Sequence, residues 1–218
     1  MIRAILYKDF KALRAKSRSF VLMAVMGVIC IGSMAWNLTE DGYARFGVDF
    51  VQLLFISLFS FATFLEFYIS LLFDDKRDGI LALLILSGKS RAVYFLAKVI
   101  IPFVITSVFS VVSVICFLLF VSTQGFSLST LLFLVTIIMS ELFLTMGLGM
   151  LLTVLSSADD GAKPAIVWPV LLANCPLLYF VNPISNFPLF CALTVSIGFI
   201  AYIASWLVLP NLYRNNVL

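Results

Sequence analysis

The sequence predicts an all-α integral membrane protein: six transmembrane helices, an amphipathic interfacial helix ahead of them, and both termini in the cytoplasm. Three observations predict it. The apolar residues come in long blocks, several longer than the ~20 residues a helix needs to cross ~30 Å of hydrocarbon. With 63% hydrophobic and 11% charged residues in 218, and a mean hydropathy of +1.15, the chain carries more apolar surface than one soluble core of this size encloses. Its basic residues, finally, fall almost wholly on one side of the alternating blocks. Barrel-type alternation over ~10 positions is absent, which leaves helices as the spanning elements.

Residues 1–19 make the interfacial helix, and residues 20–218 the six-span domain. In the first segment Ile2, Ile5, Leu6, Phe10 and Leu13 recur at helical spacing, with Arg3, Lys8, Lys11, Arg14, Lys16 and Arg18 on the other faces. Such a helix suits a headgroup layer and is drawn to anionic lipid. The spans are read at 20–36, 48–73, 92–121, 128–155, 164–181 and 187–208. The second, third and fourth exceed the minimum and are expected to tilt or project. The fifth contains Pro164, Pro169 and Pro176, so its outer end, residues 174–188, is expected to be a bent or re-entrant hairpin.

Orientation follows from the short loops. With the N-terminus inside, every one of the 14 Lys and Arg residues except Arg45 lies on the inner side. The outer loops, 37–47, 122–127 and 182–186, are short. The largest polar excursion is the inner loop 74–91 between spans two and three.

The residues exclude much chemistry. The chain has no histidine, which removes His-dependent catalysis and most metal sites. No GxxxxGK[ST] or GxGxxG pattern occurs, so the chain is not expected to hydrolyse nucleotide itself. Cys30, Cys116, Cys175 and Cys191 lie in apolar blocks without metal-ligand spacing and read as buried thiols. No catalytic residue, metal site, cofactor or nucleic-acid partner is expected in this chain.

What remains is intramembrane charge. Glu66 sits eight residues inside Asp74, and Lys98 seven inside Arg91 on the next, antiparallel span. At ~1.5 Å per residue the depths match, which predicts a Glu66–Lys98 pair, either a tie between spans or part of a substrate path. Glu141, near the middle of span four, has no basic residue at its depth. It is protonated and packed, hydrogen-bonded to a neighbouring Ser or Thr, or open to a central cavity. Gly147 and Gly149 allow close helix approach beyond it, between spans or between subunits.

The inner loop is the most informative segment. Its charged stretch Asp74-Asp75-Lys76-Arg77-Asp78 ends at Gly79, and the apolar turn Ile80-Leu81-Ala82-Leu83-Leu84-Ile85-Leu86 follows, closed by Ser87-Gly88. That turn is too short to span a membrane and needs a surface to bury it. The pattern resembles the loop of type 2 ABC exporter permeases, which reads acidic–x–x–x–Gly–Thr, a Leu-rich turn, a Pro, then a Lys opening the next helix. Asp75, Gly79, Leu83, Leu84 and Lys98 match, while Ile80 stands for the Thr and Gly88 for the Pro. The layout of the whole chain is similar too. Phe73-Asp74-Asp75 also looks in part like the haem-exporter permease of cytochrome c maturation.

The resemblance implies that the loop is a coupling helix docking into a separate ABC ATPase. Asp75, Asp78, Gly79, Ile80, Leu81, Leu84 and Ile85 would form the docking site. It further implies two ATPase copies that hold ATP and magnesium, and a second permease, identical or related. The location implied is a cell membrane, that of a bacterium, with the chain crossing it many times. The 22 phenylalanines and the short outer loops suit a hydrophobic or amphipathic substrate, a peptide or lipophilic toxin. The alternatives are an uptake-system subunit and a proton-coupled carrier using Glu66 and Glu141.

Overall fold

The computed structural model describes residues 2–15, 53, 57, 67–80, 83, 91–120, 127–156 and 162–216, and among them the chain is helical with no strand. The helices are α1 (Ile2–Ala15), α2 (67–77), α3 (Arg91–Phe120), α4 (Leu128–Leu155), α5 (Ala162–Phe180) and α6 (Phe187–Asn216). Among the described residues three stretches are long and apolar enough to cross a membrane: Val93–Cys116, Leu128–Leu155 and Phe187–Leu209. They coincide with the third, fourth and sixth expected spans, as a multi-pass membrane protein requires. Ile166–Phe180 in α5 is apolar but shorter. Span one lies outside the described residues, and span two is described only at 53, 57 and 67–73.

α4 is the centre of the bundle and much the most enclosed of the three long apolar helices. It packs most extensively along α6, then against α3 and α5. Its buried residues, among them Leu134, Ile138, Leu142 and Met146, surround the helix instead of forming one stripe, the pattern of a helix enclosed by neighbours. α3 is two-faced. Tyr94, Lys98, Thr106, Ser110, Val114 and Leu118 are buried, while Leu96, Ile100, Val104, Val108 and Val112 are exposed. Both series advance by four residues, so each forms a stripe that winds slowly round the helix, by ~40° a step.

The α4–α6 seam depends on glycine. A Cβ on Gly147 would collide with the Gly198 carbonyl, and a Cβ on Gly198 with the carbonyl of Phe143. The two backbones are in direct contact, which only small residues permit. The close approach expected at Gly147 thus occurs between two spans of one chain. Gly149 differs: a Cβ there would meet the Tyr68 ring at 3.6 Å and the Ile69 side chain at 3.8 Å, both ordinary contacts.

The fifth helix corrects an expectation. α5 continues as a helix through Pro169 and Pro176 to Phe180, so the bend expected over 174–188 is confined to the residues between α5 and α6. Each proline removes one hydrogen bond, a defect a helix can absorb when neighbours satisfy the freed carbonyl. The connection is a tight turn built on Asn182. Its side-chain Oδ1 accepts from the Ile184 amide at 3.0 Å, and its carbonyl accepts from the amides of Ser185 and Asn186 at 3.1 and 2.9 Å. An asparagine side chain standing in for a backbone acceptor is the chemistry of such turns.

Replacing Gly147 or Gly198 by Val is expected to force the α4–α6 seam apart and lower stability by ~1–3 kcal/mol or more. Gly149→Ala, whose methyl has room, should change it much less. Thermal unfolding of the purified variants in detergent checks the order.

Candidate functional site

The main concentration of charge among the described residues lies where α1, α2 and α3 meet. Asp75 closes on α3 from the last turn of α2, Tyr94 and Lys98 lie one turn apart on the buried face of α3, and α1 brings Lys8 and Asp9. Lys98, Asp9 and Asp75 are at most 2% exposed. The Lys98 ammonium is paired with Asp9 Oδ1 and lies 2.7 Å from Asp75 Oδ2. Asp75 Oδ2 also accepts from the Tyr94 hydroxyl at 2.6 Å. Lys8 donates to Asp75 Oδ1 at 2.6 Å and lies 3.6 Å from Asp78 Oδ2. Asp75 therefore has donors on both oxygens and from both flanking helices, whereas Asp9 Oδ2 is buried without a hydrogen-bond partner.

The electrostatics divide the two acids. Burial would raise the Asp75 carboxyl, but the Lys98 charge and the hydrogen bonds from Lys8, Lys98 and Tyr94 outweigh it and hold the group below its ordinary 3.8. Asp9 goes the other way. Burial raises it above 3.8, and Lys98 only partly offsets this. For Lys8, partial burial pulls downward, and its bond and proximity to Asp75 more than compensate, leaving it raised.

The same end of α2 also grips α4. Lys76 donates to the carbonyls of Thr153 at 2.8 Å and Val154 at 3.2 Å, and to that of Ser156. These belong to the last turn of α4 and its cap, where a helix has unsatisfied carbonyls and a partial negative charge that a cation offsets. Burial lowers the Lys76 ammonium from its ordinary value. Asp75 and Lys76, neighbours in sequence, tie α2 to three other helices.

Beyond this junction the chain turns. The Gly79 amide bonds back to the Lys76 carbonyl at 3.1 Å, and Gly79 adopts φ +71°, the left-handed conformation that ends helices and favours glycine. The Leu83 amide then bonds to the Gly79 carbonyl at 3.0 Å, opening a new helical turn. Ile80 packs on the main core, whereas Leu83 is 63% exposed. The expected break is present at Gly79, and of the apolar turn after it Ile80 and Leu83 are described. Leu81, Leu84 and Ile85 lie outside the described residues.

The structure thus redistributes the expected site residues. Asp78 is half exposed and Gly79 marks the turn, but the Asp75 carboxylate, expected on a docking surface, points inward into the ion cluster. Lys98 is met by Asp9 and Asp75, while Glu66, the partner expected for it, lies outside the described residues. Sequence reasoning missed Asp9, Lys8, Tyr94 and Lys76. A signal for Asp9 existed: it is the sole acid in residues 1–19 and sits among Ile2, Ile5 and Leu13 on the apolar side of the helix. That side docks inward at Ile5, which packs on the main core, and at Ala12, which packs by Phe67 and Leu71. Tyr7 and Phe10 face out.

Glu141 stands apart. It is 1% exposed in the middle of α4, and neither carboxyl oxygen has a hydrogen-bond partner. The hydroxyls expected to serve it bond backbone instead: Ser140 to the Ile137 carbonyl at 2.7 Å and Thr145 to that of Glu141 at 2.8 Å. Among the described residues no cluster of three or more His, Cys, Asp or Glu could hold a metal ion.

No family model, no curated protein and no solved structure matches this chain.

Removing the charge with Lys98→Met should strand two buried carboxylates and cost ~3–5 kcal/mol, the range for breaking a buried pair. Lys8, 42% exposed, is worth ~0–1 kcal/mol, so Lys8→Ala should be mild. Chemical denaturation of both variants separates them. The pH dependence has a definite sign. Because the folded Asp75 value is lowered, its stabilisation is full above 3.8 and is lost as pH falls through the lower folded value. Asp9, with a raised folded value, acts oppositely, favouring the fold as pH drops toward 3.8. Asp75→Asn should therefore shrink the loss of stability at acid pH, and Asp9→Asn should deepen it, as followed by thermal unfolding between pH 3 and 7 (range chosen about the ordinary carboxyl value).

Proposed function

We propose that the chain is the permease subunit of an ATP-driven ABC exporter that moves a hydrophobic or amphipathic compound out of the cytoplasm or inner leaflet. A separate ATPase would supply the energy. The observation that carries the reading is the junction immediately ahead of the apolar turn. Asp75 and Lys76 bind α2 to α1, α3 and α4, and Gly79 then redirects the chain into a turn that presents Leu83 outward. A coupling element needs these two properties. Its free face must engage a partner, and its root must be fixed to the helices that have to move, so that displacement is not dissipated in a slack loop.

In this reading the turn faces the cytoplasm, as the distribution of basic residues predicts, and docks in a cleft of the ATPase. Six spans, cytoplasmic termini and a second permease copy complete the assembly. Asp75 would serve by anchoring the coupling turn, not by touching the ATPase, and Asp78 would be the acid free to meet a basic partner. ATP and magnesium belong to the partner chain.

Gly79→Asp and Leu84→Asp are expected to abolish co-purification of a co-expressed ABC ATPase partner, while the permease still inserts and runs as a folded species in size-exclusion chromatography. Undiminished capture of the ATPase by both variants would exclude the coupling role.

A further inference from the structure

A buried acid without a partner in mid-bundle calls for an explanation. Glu141 has its carboxyl closed off from solvent with both oxygens unpaired. The Ser57 hydroxyl lies beside it, itself fully buried and outside hydrogen-bond geometry. A further buried hydroxyl without a partner, Thr106 on α3, lies close to the same depth. The α3–α4 contact sets this register, because Phe103 meets Phe143 with ring centroids 5.9 Å apart and Ser107 donates to Met139 at 3.6 Å. Unsatisfied polar groups from three spans thus collect at one level, around one carboxyl.

The chemistry of that set is specific. It offers acceptor oxygens and a carboxyl able to take a negative charge when a cation meets it, and among the described residues no ion pair supplies a cation to Glu141. The ligand that fits is a positively charged nitrogen bearing N–H donors. In a region of low dielectric its hydrogen bonds to a carboxylate are charge-assisted and among the strongest available to a protein. The surroundings are apolar, with Ile137, Ile138 and Leu142 buried around the acid, so the rest of such a ligand would be hydrocarbon.

We infer that Glu141 and Ser57 form the recognition point for an amphipathic substrate carrying a primary or secondary ammonium group. The inference rests on the permease reading for its role in transport. The binding itself does not, since it needs neither ATPase nor ATP. In the conformation described the point is closed, and entry requires the helix bearing Ser57 to separate from α4.

The test uses the full chain alone in lipid nanodiscs, with empty discs subtracted, and two radiolabelled probes of equal tail length, dodecylamine and dodecanol, at neutral pH. The wild type is expected to bind the amine about tenfold more tightly than the alcohol, the scale of one charge-assisted contact. Glu141→Gln keeps the shape and should abolish the preference, while Ser57→Ala should reduce it. A wild-type preference below about threefold, or no saturable binding of the amine, overturns the inference whatever the variants do. So does a preference that survives in a folded Glu141→Gln protein. Failure here with intact ATPase capture leaves the permease reading standing. Binding without ATPase capture removes that reading and keeps the site.

Discussion

The structure depends on one buried ammonium. Lys98 is enclosed at the root of α3 with Asp9 and Asp75 against it, and none of the three could be buried by itself. Taking each ion out of water costs several kcal/mol, and mutual attraction offsets this only where geometry is close and the remaining lone pairs find donors. Tyr94 and Lys8 supply those donors for Asp75. The joint is therefore conditional on its buried parts, Lys98, Asp9, Asp75 and Tyr94, with the half-exposed Lys8 adding little. α1 has one place to dock, because a shift by a single residue would rotate Asp9 away from Lys98 by ~100°. The same slip would carry Ile5 and Ala12 off the apolar residues they pack on, so packing and ion pair set one register.

This explains which features the sequence made legible. Hydropathy blocks located α3, α4 and α6, since span length and burial on all sides are properties of composition. Gly79 was legible because a left-handed residue between a charged stretch and an apolar turn leaves few alternatives to glycine. Lys98 was correctly singled out as a buried charge, but its partners were not found. Matching residues by depth fixes the level along the helix and leaves the angle open. Glu66 and Asp75 are nine residues apart, half a turn round on an ideal helix, so a lysine cannot be assigned to either from depth alone. Asp9 was hidden for another reason. An acid on the apolar side of a basic helix looks like a defect until a buried cation is known to face it, and that cation is some ninety residues away in the chain.

Asp75 shows how a local pattern can be right about a segment and wrong about a side chain. The acid precedes the glycine at the expected spacing, yet its carboxylate belongs to the interior. In α2 the residue beside it, Lys76, turns toward the α4 terminus, while Asp78 at the turn is half exposed. Consecutive charges on one helical turn point in different directions, so a charged run need not act as one surface. Here it divides into two anchors and a free acid.

The two buried polar centres also differ in what they allow to move. α4 and α6 touch backbone to backbone at Gly147 and Gly198, a contact with no side chains to rearrange, so this pair behaves as one rigid unit. The ion cluster binds α1, α2 and α3 into a second unit, and its own bonds are too many to break separately. Between the two units lie the Lys76 contacts to the α4 terminus and the softer packing of Phe103 and Ser107 on Phe143 and Met139. Ser57, in the second expected span, and Glu141, on α4, stand on opposite sides of that boundary. A displacement applied at the turn after Gly79 would reach the first unit through Asp75, while Lys76 serves as the pivot on α4. On the proposed coupling reading the consequence would be separation at Ser57 and Glu141, which would open the unpartnered carboxyl to a donor.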